Sequence, residues 1–513
     1  MILGVILKSG VEELKKLLTD DDMWIKPEGG IRDVLDEDKY QQAFPRSEKR
    51  NHISWTTESS RAIAFIPMNH LDLVDMITDY AWSFLFPNMV ATERTLKVYT
   101  SGSSSDTNSP HMTSKLVSKK LHAASPMMAT RIFAVLRTCY QIDQGTWIVA
   151  EISPDSPNGR YFHRLPSGCL IERITEDQSK VTWVEHTEVV TTLPNQTSAF
   201  AFGAQRMAAW LERYCEKTSL MEATYTLETQ GIDVPMNQEK FMLMEFGDTM
   251  VRGLFRNISP IEYNTGSSLL SSVEDLRVHA SVYKSFYNAQ VVGAMVAFPV
   301  KHSPEFVLRT LADSRKHHQW DVLGGFKKLS KPRRHSTGGD PKNNISVSVI
   351  EGGSSSSSNE MLLIKEVDVN LSGSLVVWST VSKTYFDHLI SSGDVISKDS
   401  MLVSGFSITT DNHNTFGGSV ITLVLRMPVE EEEEEEGKRQ SLQEKEKQAM
   451  MESITLAIIK TVERVKEALD KQRLPPPPPR RGNPAAARSP SCPNSKLNPA
   501  TRESFDRLPA CPT

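Results

Sequence analysis

The sequence predicts an α+β protein made of two tandem domains, each a curved antiparallel sheet closed by a long C-terminal helix. Three observations support this fold class. The 513 residues are enough for two large domains or about three smaller ones. Short alternating or β-branched stretches recur between turns, as expected of antiparallel strands. The same order of strand, helix, strands and final helix occurs twice, which indicates an internal duplication.

The composition limits the remaining classes of function. The net charge is −5 and the mean hydropathy is −0.34, so the chain is not a generally basic nucleic-acid binder. The longest apolar run, Val291–Val300, is far shorter than a membrane-spanning helix, and we expect no integral membrane association. The N-terminus lacks the features of a secretory signal. Five cysteines without a Cys-x-x-Cys motif favour a reducing compartment.

The first block of predicted elements spans about residues 10 to 225. A strand over Ala62–Pro67 precedes a helix over His70–Phe84. The residue pattern then predicts four strands, near 131–140, 146–152, 168–174 and 180–187. A helix from about 200 to 221, with Ser198 as its candidate cap, closes the block.

The second block repeats this order. A strand over Ala294–Pro299 precedes a helix that begins at Ser303 and Pro304. Four strands follow, near 361–368, 374–380, 400–410 and 419–426, and a helix from about 450 to 471 closes the block. The stretch Arg131–Ile152 resembles Asn359–Ser379. Ser167-Gly168 likewise recurs as Ser404-Gly405, which we interpret as a bulge or tight turn. The alternative is that two unrelated α+β domains share this order by chance.

Changes in composition predict the domain boundaries. Residues 1–225 form the first domain, 226–239 a linker, 240–472 the second domain, and 473–513 a Pro-rich basic tail. We expect disorder in the tail, in a Ser-rich loop near 101–110, and in two insertions at 333–358 and 428–448, because these segments hold few apolar residues. The second insertion contains seven consecutive glutamates, which we interpret as a solvated linker.

A helix that crosses a bent sheet without filling it leaves a cavity for an apolar ligand. In the first block, Phe133, Val135 and Arg137 share one strand face. If residues 141–145 make a hairpin turn, Val149 lies opposite Arg137 and Glu151 lies diagonally from it. Arg137 then faces the cavity with Glu151 as its partner. The alternative is a salt-bridged arginine at the surface or sheet edge.

The candidate cavity residues lie on two strands and on the closing helix of the first block. They are Arg137, Glu151, Phe133, Val135, Trp147, Val149, Met207 and Leu211. For Trp147, Met207 and Leu211 the alternative is ordinary core packing. The corresponding strand of the second block carries Lys365 and Glu366, which do not reproduce the pair, so we place the ligand in the first block only.

The sequence gives no indication of catalysis or metal binding. It contains no Gly-x-Ser-x-Gly, His-Glu-x-x-His or phosphate-loop motif. Arg137 and Glu151 are the only ionisable pair that we place in the cavity, so we predict that the protein is not an enzyme. His317 and His318 lack further ligands at suitable spacing, and we predict no metal site.

Several segments resemble the START domain of plant class IV homeodomain–leucine zipper proteins. They are Asp36–Arg46, Thr57–Ala64, Phe86–Val90, Leu165–Cys169, Ser179–His186 and Phe202–Arg206. Val11–Leu18 resembles the short helix that leads into this START domain. His318–Asp321 and Ser404–Phe406 resemble the START-adjacent domain of the same proteins. The last three START segments, in this order, are specific to the family.

This resemblance implies a helix-grip fold in both blocks and a lipid or sterol as ligand, without another cofactor. It also implies a nuclear protein, or alternatively a cytoplasmic one, that regulates transcription in plant epidermal tissue. No recognition helix of the Trp-Phe-Gln-Asn-Arg-Arg kind occurs in this sequence, so we expect no specific DNA binding from these residues. The alternative function is a lipid-free interaction module that competes with full-length family members for protein partners.

Overall fold

The structure is a computed structural model, and its description ends at Lys471. The described residues are 2–26, 33–45, 55–100, 113–123, 128, 130–154, 162–190, 201–229, 235–256, 268–273, 276–284, 290–352, 360–392, 401–411, 418–429 and 444–471. Some predicted features lie outside these residues: the loop 101–110, the cap Ser198, segments 353–358 and 430–443, and the tail 473–513.

The first half of the described chain contains a short two-stranded sheet, a large sheet and its covering helices. The helices are α1 (Ile2–Thr19), α2 (Glu37–Ala43), α3 (His70–Asp79), α4 (Trp82–Leu85) and α5 (Ala204–Thr229). The strands are β1 (Trp24–Ile25), β2 (Val34–Leu35), β3 (Trp55–Ile66), β4 (Val90–Thr100), β5 (Thr113–Leu121), β6 (Arg131–Asp143), β7 (Thr146–Ile152), β8 (Phe162–Arg164), β9 (Ser167–Arg173) and β10 (Ser179–Val190).

The predicted helix over His70–Phe84 is wrong in one respect, because two helices occupy this segment. Tyr80 and Ala81 have extended backbones, with ψ angles of 143° and 134°, and they separate α3 from α4. The interruption turns the second helix so that Trp82 is buried in the core. This position of Trp82 matters for the site described below.

The large sheet of the first half has the order β3-β10-β9-β7-β6-β5-β4, with β8 paired to β10. All its pairings are antiparallel. We call the face that packs against α3, α4 and α5 the inner face. Val149, Ile171 and Val181 lie there in one core with Leu211 of α5. Side chains alternate between the two faces of a strand, so other residues of the same strands lie on the outer face. These residues pack against Leu14 and other residues of α1.

The second half has a similar set of elements. Its helices are α6 (Pro235–Arg256), α7 (Pro304–Ala312), α8 (Lys383–Ser392) and α9 (Glu444–Asp470). Its strands are β11 (Ser268–Val273), β12 (Leu276–Lys284), β13 (Gln290–Val300), β14 (Arg333–Ser336), β15 (Asn344–Val349), β16 (Met361–Asn370), β17 (Gly373–Ser382), β18 (Ser404–Thr410) and β19 (Ser419–Pro428). The predicted start of α7 is confirmed, since Ser303 Oγ accepts a hydrogen bond from Phe306 N at 3.4 Å.

The second sheet has the order β11-β12-β13-β19-β18-β17-β16-β15-β14. Its inner face packs against α7 and α9 in a second core that includes Val296, Trp378 and Ile458. Its outer face packs against α6 and α8, where Phe246 and Ile364 meet. The predicted disorder at 333–358 is wrong for most of this segment, because β14 and β15 form one edge of the sheet.

The predicted repeat of element order is confirmed by the two sheets. Seven strands of the first sheet, β3-β10-β9-β7-β6-β5-β4, correspond in order to β13-β19-β18-β17-β16-β15-β14. Gly168 pairs with Ala150, and Gly405 pairs with Val377 at the same place. The next residues on β7 and β17 are Glu151 and Trp378. Their partners across the sheet are Arg137 and Lys365, respectively, so these two cations are equivalent.

Helix α5 belongs to the first half but also contacts the second sheet. Arg213 Nε donates to Asp368 Oδ2 at 2.8 Å, and Lys217 Nζ donates to Glu366 Oε1 at 2.6 Å. Both carboxylates lie on the outer face of β16. The residues up to Lys471 therefore form one compact unit. The predicted linker at 226–239 is wrong at its two ends, since α5 extends to Thr229 and α6 begins at Pro235.

Gly168 lies where two strands of the first sheet approach each other closely. Its φ is +141°, and a Cβ there would lie 2.0 Å from the Val149 carbonyl oxygen. It therefore allows a close backbone approach within a continuous strand, and not the bulge or tight turn that the sequence predicts. We expect Gly168→Ala to lower the free energy of unfolding by about 3 kcal/mol or more.

The matched control is Gly325→Ala. Gly325 also has a positive φ, of +65°, but nothing lies within 4 Å of its added Cβ. This substitution should cost only about 1 kcal/mol. Urea unfolding measures both, and equal losses would contradict the role assigned to the close approach at Gly168.

Candidate functional site

The inner face of the first sheet brings together the candidate residues. Side-chain alternation on β6 and β7 places six of them on this face, and α5 supplies the other two. The apolar ones belong to one buried core: Phe133, Val135, Trp147, Val149, Met207 and Leu211. Arg137 and Glu151 are buried on the same face, with 2% and 0% of their surfaces exposed.

Arg137 is held by two carboxylates. Its Nε donates to Glu151 Oε1 at 3.0 Å, and its Nη2 donates to the same oxygen at 2.8 Å. Nη1 and Nη2 donate to the two oxygens of Glu93 at 3.0 and 2.7 Å. Four of the five N–H groups of a guanidinium are thus occupied. The alternative of a surface arginine is wrong.

Glu151 lies at the centre of a buried ionic cluster. Besides Arg137, it accepts hydrogen bonds from Lys119 Nζ and from Arg164, whose Nη2 is 3.0 Å away. Arg164 Nη2 also donates to Glu185 at 3.0 Å. The cluster of Glu93, Glu151, Glu185, Lys119, Arg137 and Arg164 balances three negative against three positive charges.

The pKa values follow from this arrangement. Burial alone would raise the pKa of Glu151, but Lys119, Arg137 and Arg164 together hold it well below its usual range. Burial lowers the pKa of Lys119 to about 8, against the attraction of Glu151. Burial also opposes the charged form of Arg137, but its two carboxylates hold its pKa above the ordinary value.

Trp82 of α4 covers the cluster. The guanidinium carbon of Arg137 lies 3.7 Å from the centre of a Trp82 ring, and Lys119 Nζ lies 4.7 Å from it. Trp82 also contacts Trp183 and Phe86, with ring centres 5.5 and 5.4 Å away. Aromatic faces attract cations most strongly where water is excluded. Trp82 therefore shields the cluster and strengthens the ion pairs beneath it.

This arrangement does not suit acid–base catalysis. Glu151 stays ionised at neutral pH, and its oxygens are occupied by three cations, so it is unavailable as a general base. Within the described residues, no group of three or more His, Cys, Asp or Glu side chains could hold a metal ion. No described helix is long and apolar enough to span a membrane.

Two further tryptophans, Trp183 and Trp210, belong to the core. Trp183 Nε1 donates to Glu185 at 2.9 Å, and Trp210 Nε1 donates to the Leu85 carbonyl oxygen at 2.8 Å. Both hydrogen bonds join an aromatic residue of the interior to a polar atom that would otherwise be costly to bury. These tryptophans fix the walls of the interior around the cluster.

Two family descriptions match the chain. "START domain" matches residues 6–217, and "PDF2-like, C-terminal domain" matches residues 236–471. The first region holds the sheet with the ionic cluster, and the second holds the repeated sheet.

Curated relatives decide the family. Homeobox-leucine zipper protein HDG12 of Arabidopsis thaliana is 32% identical over 91% of this chain and 68% of its own length. The chain belongs to the class IV homeodomain–leucine zipper family. Homeobox-leucine zipper protein HDG11, from the same plant, is 33% identical over 80% of this chain and 58% of its own length. This family member therefore spans about three fifths to two thirds of these two relatives.

Solved structures also match this family member, at low similarity. Human StAR-related lipid transfer protein 5 has 12% identity and a TM-score of 0.26, and the match covers 37% of this chain and 86% of that one. The di-domain ARO/CYC StfQ from the steffimycin biosynthetic pathway has 7% identity and a TM-score of 0.23. It covers 80% of this chain and 98% of its own. Scores this low carry no argument about ligand or activity.

Sequence reasoning missed most of the ionic cluster. Glu93 and Lys119 lie on β4 and β5, which were not predicted as strands. Arg164 lies on the short strand β8. Glu185 was detectable, because it alternates with Val181 and Trp183 on β10 and so shares their inner face. A charge at an apolar, alternating position was the signal.

The ionic cluster yields a prediction about stability. Glu151→Gln removes the negative charge that Arg137, Lys119 and Arg164 share. We expect a loss of about 3–5 kcal/mol at pH 7, since buried cations then lack a counter-charge. Chemical unfolding monitored by circular dichroism measures this loss.

The control and the pH dependence sharpen this test. Glu172→Gln breaks a pair with Lys180 at 2.8 Å in which both side chains are one-third exposed, and it should cost about 1 kcal/mol or less. The folded pKa of Glu151 is depressed, so its contribution is fully present above its unfolded pKa of about 4.5 and declines at lower pH. A difference between wild type and Glu151→Gln that does not shrink below pH 4.5 would refute the assignment.

Proposed function

We propose that the first domain binds a lipid or sterol and that the chain thereby regulates transcription in plant epidermal tissue, in the nucleus. The observation that carries this proposal is the START domain match over residues 6–217. The inner face of that domain combines an apolar wall with a few buried polar groups, which is the usual character of a small-molecule site.

The charge balance of the cluster favours a neutral or zwitterionic ligand. The three carboxylates and three cations compensate one another within the protein. A ligand with a net charge would leave that charge without compensation in a dry interior. Sterols and zwitterionic lipids meet this condition.

The polar contact to such a ligand falls to Arg164 more readily than to Arg137. Arg137 has one N–H left, whereas the buried Nε of Arg164 has no hydrogen-bond partner among the described residues. Arg164 lies near Phe133, whose ring centre is 6.0 Å from the guanidinium carbon. A hydroxyl or carbonyl oxygen of the ligand would satisfy this N–H.

A substitution that fills the interior tests the proposal. Leu211 of α5 faces the inner wall of the sheet and is fully buried. If a lipid occupies this interior, Leu211→Trp should displace it with little loss of stability. Native mass spectrometry and lipid extraction of the purified protein should find lipid in the wild type and at least tenfold less in the variant.

The control is Ala223→Trp, at an exposed position of the same helix. It should retain lipid at the wild-type level. If the wild type carries no lipid and Leu211→Trp unfolds by overpacking, at a cost of about 1–3 kcal/mol, the lipid-binding proposal fails. The chain would then fit the interaction module that competes for protein partners.

A further inference from the structure

The second domain holds a buried cation at the position that Arg137 occupies in the first. The strand registers make Lys365 of β16 equivalent to Arg137, and Trp378 of β17 equivalent to Glu151. The repeated fold thus keeps the cation and replaces its carboxylate partner by an indole ring. The second sheet therefore does not reproduce the Arg137–Glu151 ion pair.

Aromatic rings pack around Trp378, the residue that faces Lys365 across the sheet. The ring centres of Trp320 and Phe406 lie 5.3 Å from that of Trp378, and the ring centre of His317 lies 5.7 Å from it. These residues belong to the apolar core between the second sheet, α7 and α9, or lie against it. The surroundings of the ammonium group are therefore largely apolar.

Lys365 has no direct counter-charge. Only 1% of its surface is exposed, and its Nζ makes no hydrogen bond or ion pair with any residue that the structure describes. Asp313 and Asp321 favour its charge and Arg334 opposes it, all without contact. Asp321 is already engaged, since its Oδ2 lies 3.1 Å from His317 Nε2. An ammonium group in this position is costly unless a negative charge reaches it.

A second hydrogen-bond donor lies in the same interior. Trp320 Nε1 is buried and has no acceptor in the described part of the chain. Its ring centre lies 5.1 Å from that of Phe406. A buried indole N–H usually has a hydrogen-bond partner. Lys365 and Trp320 thus provide two unsatisfied donors within one aromatic core.

We propose that the interior of the second domain binds an apolar carboxylic acid, whose carboxylate pairs with Lys365 and accepts a hydrogen bond from Trp320. Lys365 and Arg334 are opposed by two aspartates, and this balance suits a monoanion better than a phosphate, which carries more charge. The aromatic and aliphatic walls suit an apolar chain or ring system. This site lies outside the first domain and is independent of the lipid proposed there.

The test uses the full chain, hexadecanoate as the probe, and hexadecanol as its uncharged counterpart. Lys365→Met keeps the length of the side chain and removes the ammonium. We expect at least a tenfold weaker affinity for hexadecanoate in this variant by calorimetric titration, and no change in the affinity for hexadecanol. The variant should also be at least as thermally stable as the wild type, because it removes a buried group without a partner.

The control is Lys115→Met, in the first domain. Lys115 Nζ donates to the Thr78 carbonyl oxygen at 2.9 Å, so this lysine is already satisfied. Its removal should leave hexadecanoate binding unchanged. If Lys365→Met fails to fold, Lys365→Arg replaces it, and this variant should retain binding because it retains the charge.

An independent readout uses the wild-type protein alone. Saturating hexadecanoate should shift the ¹³Cε resonance of Lys365 in protein labelled at its lysines, because NMR reaches a lysine that is closed to solvent. The proposal is overturned if hexadecanoate does not bind, if it binds Lys365→Met and wild type equally, or if it binds without shifting this resonance. Binding that survives Lys365→Met belongs to the first domain, so the two proposals fail separately.

Discussion

A buried cation needs a negative charge within reach, and among the described residues only the first of the two sheets places one in direct contact with its cation. In the first domain, Arg137 shares Glu151 and Glu93, and Glu151 in turn gathers Lys119 and Arg164. The ion pairs connect β4, β5, β6, β7 and β8 across the inner face. Trp82 covers this cluster, and the low local dielectric makes its charges depend on one another.

The second sheet retains the position of the buried cation but lacks the carboxylate that pairs with it. Lys365 occupies the place of Arg137, and Trp320, like Trp82, follows the helical segment that covers the inner face. The carboxylate is missing because Trp378 stands at the position of Glu151. One fold thus contains a charge-balanced interior and an interior with a lysine that has no direct counter-charge, and the ligands that we propose for them differ in charge.

The sequence predicted which residues share a strand face wherever apolar and polar residues alternate strictly. The shared face of Phe133, Val135 and Arg137 follows from a period of two. The hairpin register was wrong by two residues, because the turn is tighter than assumed: Asp143 pairs with Thr146, and an irregularity separates it from the Gln141–Trp147 pair. Arg137 therefore lies opposite Glu151 itself. No single-sequence pattern specifies such an irregularity.

Edge strands were the least predictable elements. β4 has mostly exposed side chains, and β14 is short, basic and largely exposed, so neither offers the alternation that identifies a half-buried strand. Missing β4 and β5 hid Glu93 and Lys119. The partner of Lys365 could not be read from β16 alone, since the residue across the sheet decides it.

The most direct measurement of this account is the pKa of Lys365 in the ligand-free protein, read from the ¹³Cε chemical shift of labelled lysine with Lys365→Arg as the assignment control. His317, Asp313, Asp321 and Arg334 face or act on this lysine, and burial should lower its pKa to about 7. Added hexadecanoate should raise it. If the pKa of Lys365 lies near 10.5 without ligand, a group of the protein already compensates the charge of this lysine. That result would contradict the account.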